Sequence, residues 1–438
     1  MDYDTALAQL HSLQRFGVKP GLTRVRELLR RLGDPQLAPA PRYIHIAGTN
    51  GKGSCGAMLQ SMLGAAGQRA GFFSSPHLLH HCERYRIGGR PLSEAEFARL
   101  FAPVWQAIAA MTAEGRESPT EFEAVTALAL LAFRQAEADW AVMECGLGGL
   151  YDSTNVIRAE LALITNVALD HLDVLGPTLE DIAVQKASIV KPGQTVVTAA
   201  AGSPLTIIAE QAARCGDPLL VCGRDFTVRI ADDSQAGLLL DVSTAGQDYH
   251  GLRLPLLGRH QAVNAACAVQ TAELAGLDEE AIRAGLAAVS WPCRLELVSR
   301  DPAVLIDGAH NSDGMAALAA ALKRYWPGRR ICGVVGMLDD KQREEALSRL
   351  LPCLTQVIVT RPGLPARSAG WARVGEIARS HGLRPLLIEN SRAALAAAEE
   401  TDCDLILICG SLYLAADLRG LFPLNDFLMK GEAHESAD

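Results

Sequence analysis

The sequence predicts an α/β protein of two units, each built on a mainly parallel sheet. Three observations carry this. Short apolar, β-branched runs alternate with Ala/Leu-rich stretches of helical length. Each run ends in a glycine-rich or polar segment, as strands do when their carboxyl ends line a ligand-binding edge. The 438 residues are too many for one ordinary core and suit two or three.

In the first series the strand-like runs are residues 43–47, 69–74, 140–145 and 161–167. Residues 57–66 read as a helix, and 124–133 as a buried helix far short of the ~20 apolar residues that a membrane span requires. Residues 178–190 read as another helix, with Thr178 and Asp181 at capping-box spacing and Lys191-Pro192-Gly193 as its stop. After Gln194 the pattern loosens, and residues 225–249 read as a polar, antiparallel insert or edge region. Ser290-Trp291-Pro292-Cys293 separates the two series, because proline stops the preceding helix. It sets a boundary between residues 1–292 and 293–438. The second series comprises residues 303–307, 331–337, 356–360, 385–388 and 404–409. No repeat of solenoid period is present, and the acidic tail beyond Lys430 reads as unstructured.

Composition narrows the function classes. With 49% hydrophobic and 21% charged residues, the chain is neither disordered, collagen-like nor a small disulfide scaffold. Its 50 acidic against 41 basic residues argue against nucleic-acid binding, which needs a basic face, so an anionic substrate must be captured locally. Residues 1–20 carry acids at Asp2 and Asp4 and no apolar core of signal-peptide length. The 11 cysteines are scattered singly with no CxxC pair, which reads as reduced thiols in the cytoplasm.

The sharpest chemical signal is Gly48-Thr49-Asn50-Gly51-Lys52-Gly53-Ser54, between a strand and a helix. Glycines let backbone N–H groups approach phosphate oxygens, the helix amino terminus adds partial positive charge, and Lys52 supplies a mobile cation. It departs from the Walker pattern, which needs Gly at position 46 and Ser or Thr at 53, where this chain has Ile46 and Gly53. The plainer alternative is a glycine turn opening a helix.

Ser75, Glu144 and His171 also follow predicted strands, so a parallel sheet can bring them to the space around Lys52. A hydroxyl, a carboxylate and an imidazole beside a triphosphate suit magnesium, which accepts mixed oxygen ligands and retained waters. Lys186 falls on the apolar stripe of its helix with Ile182, Ile189 and Val190. It either snorkels to the surface or is desolvated, in which case a neutral amine can take up CO2 as a metal-binding carbamate. His77, His80, His81, Cys82 and Glu83 lack structural-zinc spacing and read as a loop beside the substrate. The pairs Glu279-Glu280 and Glu399-Glu400 read as solvated helix faces.

In the second half, Asp307-Gly308-Ala309-His310-Asn311 and Gly410-Ser411 again follow strands. Two sheets meeting edge to edge set His310 and Ser411 across a cleft from the phosphate loop; ordinary loop turns in a separate domain are the alternative.

These segments, with Ser74-Ser75-Pro76-His77-Leu78, Glu83-Arg84, Glu144-Cys145-Gly146-Leu147-Gly148-Gly149, Leu169-Asp170-His171, Gln185-Lys186-Ala187 and Arg294-Leu295-Glu296, resemble the folylpolyglutamate synthase/dihydrofolate synthase family. The match runs in order from about Leu22 to Ser411, and more widely the chain is similar to the Mur ligases. The resemblance implies a P-loop-type, mainly parallel amino-terminal domain and a smaller, Rossmann-like α/β carboxy-terminal domain. It implies a monomeric, ATP-dependent ligase joining L-glutamate to dihydropteroate, to reduced folates, or to both.

The same resemblance implies the site. Thr49, Asn50, Gly51, Lys52, Gly53 and Ser54 correspond to the phosphate-binding positions, and Asn264, Arg294 and Asp307 to the nucleoside side. Ser75, Glu144 and His171 match magnesium ligands, with two ions expected, and Lys186 matches a carbamylated lysine. Thr120, Phe122 and Asp152 match pterin contacts, and His310 and Ser411 the glutamate side. Lys52, Lys186, His171 and His310 are the expected catalytic groups. The chain departs from the family pattern at Leu150, where arginine is usual, and at Gln185, where glutamate is usual. A Mur-type ligase acting on another carboxylate, a nucleotide-switch module and an ATP-driven nucleic-acid motor are rival readings, the last opposed by the acidic charge.

Overall fold

The computed structural model describes residues 1–13 and 20–423, so the acidic tail expected to be unstructured lies outside the described residues. Eight strands form the first sheet: β1 (Arg42–Ala47), β2 (Ala70–Phe73), β3 (Tyr85–Ile87), β4 (Arg90–Pro91), β5 (Trp140–Glu144), β6 (Leu161–Ile164), β7 (Thr195–Thr198) and β8 (Leu219–Val221). Their order is β4-β3-β2-β5-β1-β6-β7-β8. The ladder is parallel from β2 to β8, and the β2–β3 and β3–β4 pairings are antiparallel. The central strands are buried on both faces, which is why they appear in the sequence as unbroken apolar runs.

The helix Lys52–Ala65 is buried along most of its length under the helices His260–Leu274 and Glu279–Ala288. The stretch 124–133 lies in the buried helix Glu121–Gln135, and no described helix is long and apolar enough to cross a membrane. The expected 178–190 helix is shorter, Leu179–Ala187, and opens with the Thr178–Asp181 capping box. All eleven cysteines are free thiols.

The loosely patterned region is a three-stranded antiparallel sheet of β9 (Thr227–Ser234), β10 (Gly237–Ser243) and β11 (Asp248–Leu254). It is not a polar edge: Leu240, Val242, Tyr249 and Leu252 belong to the core that also buries Met58 and Phe72. The polar residues form the solvent face of an alternating sheet.

The last sheet contains β12 (Glu296–Arg300), β13 (Ala303–Ile306), β14 (Ile331–Val335), β15 (Gln356–Val359), β16 (Leu386–Leu387) and β17 (Leu405–Cys409). Its order is β12-β13-β17-β14-β15-β16, parallel except for the β12–β13 hairpin. The short strands β3, β4, β7, β8 and β12 were not among the expected runs.

Candidate active site

A cavity of about 510 Å³ lies where carboxyl ends of the eight-stranded and six-stranded sheets face each other. Every residue expected at the site lines it except Thr120, Phe122 and Asp152.

The phosphate loop leaves β1 and is clamped by the segment after β6. Asn166 accepts from the Thr49 and Asn50 N–H groups, at 3.0 Å and 2.8 Å, and Thr165 Oγ1 donates to the Asn50 carbonyl at 2.7 Å. The helix Lys52–Ala65 has no side-chain cap. Its first-turn N–H groups therefore remain for solvent or an anion. Lys52 Nζ folds onto the loop, donating to the Gly48 and Thr49 carbonyls at 3.0 Å and 3.3 Å. At Gly53, a Cβ would come 2.7 Å from the Trp291 ring, which explains why the Walker hydroxyl residue is missing.

Two ionisable groups are buried beside this loop. Glu144, 5% exposed at the end of β5, receives among the described residues only a 3.4 Å bond from the Ser75 N–H. Burial pushes its carboxyl up to about 7, with the Lys52 charge opposing. Lys186 is 3% exposed and does not snorkel; among the described residues it makes no hydrogen bond or ion pair. Burial, reinforced by the charge of Lys52, lowers its ammonium pKa to about 7.

His171 sits in the left-handed region at φ 52°, a strained conformation for a residue with a Cβ. Burial lowers its imidazole pKa to about 4. Its neighbour Asp170 joins the two sides of the cavity. It meets Lys341 Nζ at 2.6 Å, Asn311 Nδ2 at 3.1 Å and His310 Nε2 at 3.4 Å. Burial opposes its charge, yet His310 and Lys341 hold its carboxyl well below the usual range. Lys341 also lies 3.2 Å from His171 Nε2. Sequence reasoning missed Lys341; the available signal was Asp339-Asp340-Lys341 soon after β14, a charged run near another strand end. It also missed His260 and Gln261, which open the helix carrying Asn264 and line the same wall.

Across the cavity, Asp307 is engaged by the Leu295 and Ala309 N–H groups at 2.9 Å and 2.8 Å, and Arg294 Nη1 by the Cys293 carbonyl at 2.9 Å. Ser411 is buried and caps its helix through the Tyr413 N–H.

The three outlying residues are not part of the cavity lining. Thr120 caps the helix Glu121–Gln135, and the Phe122 ring fills the space beside Gly146. Asp152 accepts from the Leu147 and Thr154 N–H groups at 2.9 Å and 3.0 Å, bracing the turn after β5. In the histidine-rich segment, Glu83 accepts from the Leu78, Leu79 and His80 N–H groups as a loop brace. Among the described residues no three His, Cys, Asp or Glu side chains group as a metal-ligand set.

Comparison with known proteins gives a consistent result. Residues 46–272 match the Mur ligase middle domain and residues 293–412 the Mur ligase glutamate ligase domain. The dihydrofolate synthase/folylpolyglutamate synthase of Bacillus subtilis is 38% identical over 80% of this chain and 82% of its own length. Folylpolyglutamate synthase of Mycobacterium tuberculosis, solved with ADP and AMPPCP, superposes with a TM-score of 0.89 at 33% identity, covering 97% of this chain and 100% of that one. E. coli FolC in complex with DHPP and ADP gives a TM-score of 0.86 at 32% identity, covering 96% and 97%.

Proposed function

This chain belongs to the dihydrofolate synthase/folylpolyglutamate synthase family of Mur ligases, and from that premise we propose how its residues run the reaction. It is an ATP-dependent ligase that adds L-glutamate to dihydropteroate and to reduced folates. The observation that carries the assignment is a single cavity combining the uncapped phosphate loop, buried Glu144 and, on the opposite wall, His310 and Ser411.

The difficulty lies in the acceptor carboxylate, whose negative charge repels an amine. Transfer of the γ-phosphoryl group of ATP to that carboxylate makes an acyl phosphate with a good leaving group. Such transfers depend on positioning and charge neutralisation, the role of Lys52 and the loop N–H groups. The α-amine of glutamate, held near His310 and Ser411, then attacks the acyl carbon and phosphate departs. Water destroys an acyl phosphate, so the two sides must be closed during transfer. The Asp170–Lys341 contact is suited to holding that closure. We take residues 1–292 as the nucleotide half, residues 293–438 as the glutamate half, and Trp291 as part of the hinge. One chain supplies both walls of the cavity, which supports a monomer as the working unit, and its free thiols suit the cytoplasm.

The donors fit magnesium. Glu144 is a buried carboxylate with no ion-pair partner among the described residues, and Ser75 and His171 share its cavity. When bound, one or two magnesium ions supply charge neutralisation to the phosphates. Lys186 fits carbamylation for the same physical reason: near neutral pH its buried amine is substantially uncharged. Addition of CO2 to the amine, with loss of one proton, leaves an N-carboxylate.

The test is ADP release by purified protein with ATP, with and without dihydropteroate plus glutamate, and product analysis with tetrahydrofolate as a second acceptor. Release dependent on acceptor and glutamate is expected; release indifferent to both fits the nucleotide-switch reading instead.

A further inference from the structure

Tyr325 is the last residue of the helix Ser312–Tyr325, in the carboxy-terminal half, yet among the described residues its hydroxyl bonds only to groups from the other half. It donates to Asp233 Oδ1 at 2.5 Å and accepts from the Gly258 N–H at 3.0 Å. Both Tyr325 and Asp233 are more than nine-tenths buried. The surroundings hold Asp233 in place: Arg324 Nη2 donates to its carbonyl at 3.0 Å, Arg324 Nε lies 3.3 Å from its carboxylate, and Gln235 Nε2 donates to the Tyr325 carbonyl at 2.6 Å. Burial pushes the Tyr325 phenol up to about 12, so it remains a donor throughout the working pH range.

Gly258 is the turn that aims the next helix. Its φ of +97° suits glycine, and a Cβ there would come 2.5 Å from the His260 ring and 3.0 Å from Leu295. Two residues later the helix His260–Leu274 begins, and its first turn brings His260, Gln261 and Asn264 to the cavity wall. That turn touches the phosphate-loop helix: Gln261 Nε2 donates to Ser54 Oγ at 3.3 Å, and Cys55 Sγ to the Asn264 carbonyl at 3.4 Å. A shift at Gly258 therefore moves the wall expected to hold the nucleoside.

We propose that Tyr325, anchored by Asp233 and acting through the Gly258 N–H, is a positioning residue for the nucleotide. The proposal rests on the reading of the cavity as an ATP site. It gives the three-stranded sheet a task, since β9 carries the anchor that lets one half of the chain set the nucleotide wall of the other.

The experiment measures ADP affinity by calorimetry, and the KM values for ATP and glutamate, in the full chain. Tyr325→Phe removes both the bond to the Asp233 carboxylate and the acceptor of the Gly258 N–H, and is expected to weaken ADP binding and raise the ATP KM about five-fold. The glutamate KM and the kcat at saturating ATP should stay within about two-fold of wild type. Asp233→Asn, which keeps an acceptor for the phenol, should bind ADP nearly as wild type, whereas Asp233→Ala should match Tyr325→Phe. Unchanged ADP affinity in Tyr325→Phe overturns the proposal, as does an equal rise in every KM accompanied by a lowered Tm, the mark of a merely structural brace. Should Tyr325→Phe fail to fold, the two Asp233 variants decide, and equal ADP affinity in them overturns it. A wild-type chain that binds no ADP defeats the nucleotide reading itself, and this inference with it.

Discussion

The two walls of the cavity handle their polar groups differently. On the wall of the eight-stranded sheet, Glu144 and Lys186 are buried with few or no partners, and burial displaces both pKa values to about 7. On the wall of the six-stranded sheet, Asp307, His310 and Ser411 are already bonded to their own backbone. Unpartnered buried charge is costly and persists where something else supplies the missing partner. Groups satisfied by their own turns are rigid holders. The contrast assigns charge handling to the first wall and placement to the second.

Four experiments break or sharpen it, in decreasing order of expected effect. Lys186→Ala should cut turnover about 100-fold, the scale seen when a metal site loses a supporting group, and small carboxylic acids should partly restore it. Full activity without rescue shows that no carbamate is needed. Lys341→Met takes the lysine charge away from the Asp170 carboxylate, leaving it Asn311 and His310, at a place where both side chains of the pair are under 10% exposed. It should cost roughly 3 kcal/mol by urea unfolding, and Asp170→Asn in the same chain should recover part of the loss. A wild-type midpoint in Lys341→Met means the latch carries no weight.

The third experiment concerns pH. Glu144 has a folded-state pKa of about 7 against an ordinary value of 4.5, so the folded chain binds its proton more tightly than the unfolded chain. Its contribution to stability is intact below about 4.5 and is lost as pH rises through about 7. Without magnesium, the Tm of Glu144→Gln relative to wild type should therefore climb across that window; a flat difference contradicts the burial argument. The smallest effect belongs to the exposed residue Glu399, where Glu399→Gln should change stability by less than ~0.5 kcal/mol and leave turnover intact.

Much of this site was legible in sequence because a parallel sheet turns an apolar run followed by a polar break into an address. Gly48, Glu144, Asp307 and Ser411 all sit at or just beyond strand ends. The strands missed were two to five residues long, and β3, β4 and β12 carry polar residues, so they give little periodic signal. Lys186 was ambiguous because an apolar helix stripe is equally consistent with a side chain that snorkels and one that points inward. Lys341 was passed over because charged runs are usually solvent-facing, and only the meeting of the two halves buries it against Asp170. At Thr120 and Asp152 the resemblance implies ligand contacts, and the structure adds that Thr120 caps its helix and Asp152 braces the turn after β5.

Trp291 gives the molecule an optical handle. Of the five tryptophans in the chain, this one sits in the segment between the halves with its indole against Gly53, at the first turn of the phosphate-loop helix. Indole emission depends on its immediate polarity, so a phosphate docking on that turn and a swing of the connecting segment both reach the same fluorophore. The difference spectrum between wild type and Trp291→Phe thus follows nucleotide capture in real time, without an attached dye.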